Sequence, residues 1–98
     1  MALELFWTKR ASKGYDRTVK YLEENFTDRE VKNFVKSSND FFELLKLYPD
    51  LLATSSKMKN VHRGPINNYT ILTYRVKPRK KLIELINIRE SRKKPLKR

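Results

Sequence analysis

The spacing of apolar residues changes twice along this chain. The opening Leu3-Glu4-Leu5-Phe6-Trp7 is short and mostly apolar, and predicts a first strand buried on both sides. Thr8 offers a hydroxyl to cap a helix, after which Ala11, Tyr15, Val19, Leu22 and Phe26 recur at intervals of three and four. That spacing predicts one helix ending near Asn25, weakened at Gly14 by about 1 kcal/mol relative to alanine. Thr27-Asp28-Arg29-Glu30 is a capping box, in which hydroxyl and carboxylate each satisfy the other residue's backbone amide. It opens a second helix carrying Val31, Phe34, Val35, Phe41, Phe42 and Leu45, which Tyr48-Pro49 stops because proline disfavours helix in the residue before it. The two helices form a hairpin.

Beyond the polar linker Ala53 to Lys57 the pattern becomes alternating and rich in branched and aromatic residues, predicting strands over Val61 to Ile66, Tyr69 to Val76 and Leu82 to Ile88. Asn67-Asn68 and Pro78-Arg79-Lys80-Lys81 supply the turns of an antiparallel meander. Gly64-Pro65 implies that its first strand is an edge strand with a bulge. The expected fold is α+β in the order β-α-α-β-β-β, with the hairpin on one face of a twisted, mainly antiparallel four-stranded sheet. Its expected core is Trp7, Val19, Leu22, Phe34, Phe41, Phe42, Leu45, Leu72, Tyr74 and Ile86.

With 98 residues, the chain has room for one core and no second domain, read as residues 1–90 followed by a basic tail over 91–98. It contains no cysteine, which excludes disulfides, thiolate zinc and cysteine catalysis. No apolar run approaches membrane-spanning length, and Met1-Ala2-Leu3-Glu4 is unlike a signal peptide, so a cytoplasmic location without membrane attachment is expected. Charge changes the picture more. Residues 1–56 hold nine Lys/Arg and nine Asp/Glu, whereas residues 57–98 hold fourteen Lys/Arg against Glu84 and Glu90. The whole net charge of +12 therefore sits on the strand-rich part, which suits a polyanionic partner.

Trp7-Thr8-x-x-Ala11, the helical hairpin, Arg63-Gly64, the strand Tyr69 to Val76, and Leu85-Ile86-Asn87-Ile88 running into Arg89-x-x-Arg92 together resemble the RelE/ParE toxins of bacterial type II toxin-antitoxin systems. The resemblance covers residues 3 to 93 and rests on element order, length and the basic second half in combination. It implies a growth-arresting toxin held inactive by a cognate acidic antitoxin. It also implies a target: the leading expectation is ribosome-bound mRNA, which some relatives cleave, and the alternative is non-enzymatic inhibition of DNA gyrase, which others poison. A basic RNA-binding module without toxicity fits the charge as well.

Cleavage of RNA without metal or cofactor needs a base for the ribose 2′-hydroxyl, cations around the phosphate and an acid for the leaving oxygen. The resemblance places His62 where RNA-cleaving relatives carry a catalytic lysine, and Arg89 and Arg92 by position near the end of the last strand. Glu90 is a substitute base. Lys57, Lys59, Arg63, Arg75 and Lys77 are expected to bind nucleic acid, with Tyr69 stacking on bases. Two family positions are lost: Ile71 or Leu72 stands for an arginine before Tyr74, and Gly64 for a lysine.

Overall fold

The computed structural model describes residues 2–68 and 70–91. The chain runs β1 (Glu4–Trp7), α1 (Lys9–Asn25), α2 (Asp28–Leu47), β2 (Val61–Pro65), β3 (Thr70–Lys77), a 3-10 turn over Pro78–Lys80 and β4 (Leu82–Glu90). One four-stranded sheet has the order β1-β4-β3-β2; β2, β3 and β4 form the antiparallel meander, and β1 adds in parallel to β4. This is the expected α+β fold with both helices on one face. Of the basic tail, residues 92–98 lie outside the described residues.

Local signals act as the chemistry requires. The Thr8 hydroxyl accepts from the Ala11 amide at the start of α1, and Thr27 and Glu30 close the capping box of α2. At the β2–β3 turn Asn67 works through its side chain: Oδ1 accepts from the amide and hydroxyl of Thr70 while Nδ2 donates to the Ser38 hydroxyl on α2. Among the described non-glycine residues, positive φ falls on Asn60 and Lys81.

The core gathers Ala11, Phe42, Leu45, Leu72, Tyr74, Ile83, Leu85 and Ile88 between helices and sheet. Trp7 meets Phe42 edge-on at 5.1 Å and Tyr15 at 5.7 Å, closing the core over β1. Trp7, Val19 and Phe41 are half-buried rather than fully enclosed. On α1 the buried stripe is Ala11, Gly14, Thr18 and Leu22. Small residues face the sheet because the helix backbone lies directly on β4: a Cβ on Gly14 would overlap the carbonyl oxygen of Ile88.

Three expectations change. β1 is an edge strand with one open side, where Phe6 is 53% exposed. The bulge lies on β4, not β2: Thr73 opposes Asn87 while Tyr74 opposes Leu85, leaving Ile86 as the extra residue. The inward phase of β4 consequently shifts from Ile83 and Leu85 to Ile88, and Ile86 leaves the core. Finally, β2 is flanked by residues 53–55, through Arg63 N–H to the Ala53 carbonyl (2.9 Å), Ser55 N–H to the Val61 carbonyl (2.6 Å) and a bridge between Thr54 and His62. Among the described residues no helix is long and apolar enough to cross a membrane.

Candidate nucleic-acid interface

Successive residues of a strand face opposite sides, so the register sorts the candidate residues between the helix-covered face and the open one. Tyr74, Leu72, Ile83, Leu85 and Ile88 point to the helices and are buried. Their neighbours point outward. Arg75 lies beside Val61 on β2 and Glu84 on β4; Thr73 lies beside Arg63 and Asn87; Ile71 lies beside Pro65 and Arg89. Beyond Arg75 the next outward residue of β3 is Lys77, opposite Leu82.

Arg89, Arg63, Arg75 and Lys77 thus occupy four successive outward rows, each about 7 Å from the next along the strands. The three arginines come from three different strands, which staggers them diagonally over the face. Thr73 and Asn87 set neutral hydrogen-bonding groups between them. Lys77 and Glu84 form an ion pair at 3.5 Å, and Arg75, though level with Glu84, has a buried Nε without a hydrogen-bond partner. A charged side chain with an unmet donor therefore stands in the middle of the open face, at a cost not repaid within the described residues. At the β1 edge Phe6 adds an exposed ring, level with Glu84.

The proton-transfer candidates lie elsewhere. His62 opposes Tyr74 on the helix side, is 8% exposed, and donates from Nδ1 to the Leu52 carbonyl at 2.8 Å. The Tyr74 hydroxyl donates to the Pro49 carbonyl at 2.7 Å and accepts from the Leu52 amide at 3.2 Å. Burial is the main cause of the Tyr74 pKa being raised above its ordinary value, and the same holds for Tyr15. Glu90 opposes buried Thr70 and shares the phase of Ile88, opposite to that of Arg89.

The structure therefore brings Arg63, Arg75, Lys77 and Arg89 together on one face and sets His62 and Glu90 on the other. Lys57 and Lys59 are exposed in the loop before β2, outside the four-stranded register. Tyr69 and Arg92, expected respectively to stack on bases and to take part in catalysis, lie outside the described residues. Of the two lost family positions, Ile71 shares the open face with Arg75, whereas Gly64 opposes buried Leu72 beside the Leu52 side chain. Sequence reasoning missed Phe6, Thr73 and Asn87; strand alternation carried a signal for Thr73, but Asn87 required the bulge and Phe6 the pairing of β1.

A second concavity lies between the free side of β1 and α2. It is an open groove of about 700 Å³ lined by Leu3, Leu5, Trp7, Phe42, Glu43 and Lys46, among others.

No protein-family model and no curated protein matches the chain. Among solved structures it is similar to a chain of the chromosomal ParDE TA system from P. aeruginosa, with a TM-score of 0.72 and 16% identity over 91% of this chain and 96% of that one. It is also similar to a chain of the toxin-antitoxin complex RelBE2 from Mycobacterium tuberculosis, with a TM-score of 0.62 and 11% identity over 92% of this chain and 99% of that one. Likeness at these identities establishes architecture, and the architecture of this chain is the RelE/ParE fold that its sequence resembles.

Proposed function

We propose that this chain is the toxin of a type II toxin-antitoxin module, kept inactive by a cognate antitoxin, and that it arrests growth by gripping a polyanionic target on its open sheet face. The fold supports the toxin role, because both similar structures belong to toxin-antitoxin systems. The mode of action rests on one observation: Arg63, Arg75 and Arg89 share the open face, whereas His62, Tyr74 and Glu90 lie on the helix side. Such a face has the cations to bind phosphates, while of the carboxylates on it Glu84 is ion-paired with Lys77 and Glu4 sits on the edge strand β1. This favours a non-cleaving poison of the DNA gyrase type over ribosome-dependent mRNA cleavage.

Controlled induction in a bacterial host separates the readings. DNA breaks and an SOS response with intact transcripts are expected, together with loss of growth arrest in an Arg63→Ala, Arg75→Ala, Arg89→Ala triple variant that retains its thermal unfolding profile. Transcripts cut within translated regions, and reproduced by the purified chain with ribosomes, would establish cleavage instead. Harmless expression would leave a basic RNA-binding module.

A further inference from the structure

Arg89 reaches the open face because of the bulge at Ile86. Along β4 the inward residues before the bulge are Ile83 and Leu85, so an uninterrupted strand would turn Asn87 and Arg89 inward as well, with Arg89 opposite fully buried Thr70. The extra residue reverses that phase, burying Ile88 and turning Arg89 outward beside Ile71. Bulges commonly re-aim a side chain in this way, and they loosen the local ladder in doing so.

What meets the backbone at this irregularity is Thr8. Its hydroxyl donates to the Leu85 carbonyl at 2.7 Å and lies 3.2 Å from the Ile86 carbonyl, its amide donates to the Leu85 carbonyl at 3.3 Å, and the same hydroxyl oxygen accepts from the Ala11 amide at 3.1 Å. One side chain thus caps α1 and holds the backbone on which the phase of β4 changes. Two turns along the helix, Gly14 rests on the Ile88 carbonyl, so α1 grips β4 on either side of the bulge.

We infer that Thr8 is a positioning residue for target binding, which aims Arg89 at the open face by fixing the Ile86 bulge. The inference rests on the reading of that face as the target-binding surface. The two tasks of the hydroxyl can be separated chemically. Aspartate caps a helix as well as threonine does, but an ionised carboxylate accepts and cannot donate to the carbonyls of Leu85 and Ile86. Serine keeps both functions.

The test measures affinity for a short labelled duplex DNA as a function of salt, using the full chain with Thr8→Asp, Thr8→Ser, Arg89→Ala and Arg63→Ala. Helix content and thermal unfolding are recorded for each. Thr8→Asp should keep the helices, weaken binding as much as Arg89→Ala does, and lower the slope of log K against log salt by about one, the loss of one phosphate contact. Thr8→Ser should restore both. Adding Thr8→Asp to Arg89→Ala should cost nothing further, whereas adding it to Arg63→Ala should multiply the losses. Wild-type affinity in Thr8→Asp, or full additivity with Arg89→Ala, would overturn the inference. If Arg89→Ala itself leaves binding unchanged, the open-face reading fails, and amide hydrogen exchange then judges Thr8: faster exchange at Asn87 and Ile88 in Thr8→Asp supports the latch, and unchanged exchange refutes it.

Discussion

The rings of His62 and Tyr74 stack 4.9 Å apart and within 7° of parallel, directly opposite each other on β2 and β3. Through Leu52 and Pro49 both side chains also hold the backbone that leaves α2, so the pair clasps the long connection to the sheet. A histidine tied in this way has a structural task. His62→Phe keeps the stack but strands the Leu52 carbonyl, and should cost about 1 to 3 kcal/mol in a urea titration. Growth arrest per folded molecule should survive; its complete loss in a stably folded variant would return His62 to the chemistry.

Alkaline pH probes the same clasp. Folding raises the pKa of Tyr74 and of Tyr15 above the ordinary 10.0, so the unfolded chain ionises first as pH climbs. Stability contributed by these phenols is complete below about pH 10 and declines above it. The fall in urea midpoint between pH 9 and 11 should be shallower in Tyr74→Phe than in the parent; equal slopes would show that the phenol ionises alike in both states.

Adjacent phenylalanines on α2 should behave differently. Phe42 is 5% exposed and belongs to the core, whereas Phe41 is only half-buried against it. Phe42→Ala should lose about 3 to 5 kcal/mol and Phe41→Ala clearly less. Denaturant unfolding of the two variants side by side measures the difference, and equal losses would mean that the helix sits one position round from its described register.

Gly14→Ala should run against helix propensity. In an exposed helix the change stabilises by about 1 kcal/mol. Here the methyl group would meet the Ile88 carbonyl, a backbone atom that cannot turn aside. The melting temperature should fall, and a rise would mean that α1 stands further from β4.

Under the proposed toxin role, an antitoxin would have two surfaces to cover: the cationic open face, and the groove between β1 and α2 with its apolar Leu3, Leu5, Trp7 and Phe42. An acidic segment, disordered when free, should associate at a rate that falls steeply with ionic strength, while its dissociation, governed by apolar contacts, changes much less. Stopped-flow kinetics at two salt concentrations give the answer; a salt-indifferent association rate would place the docking site away from the basic half.

Much of this fold was legible because its signals are local. Thr27 and Glu30 announce α2 within four residues, Tyr48-Pro49 ends it, and the alternation in β3 and β4 gives the strands. What escaped depends on contacts between distant parts of the chain. Ile86 looks like a core residue in an uninterrupted strand; only the register against Thr73 and Tyr74 reveals the extra residue that expels it. Gly14 looks like a weak point because propensity describes an isolated helix, whereas here the missing side chain is what lets helix and strand backbones touch. At the candidate site, alternation alone sets His62 and Arg63 on opposite sides of β2. Which side faces water follows from the pairing of His62 with Tyr74, and that is a tertiary fact.

The parallel pairing of Glu4–Trp7 with Leu82–Leu85 joins the first strand to the last. Protein synthesis delivers β1 well before the strand it pairs with. While the ribosome is still making β4, β1 has no neighbour, Gly14 has no carbonyl to rest on, and the open face lacks Arg89. Closure across so long a loop comes late in folding. A partly made chain is thus unable to complete the cationic face, so any contact made through Arg63, Arg75 and Arg89 together waits on the full length of β4.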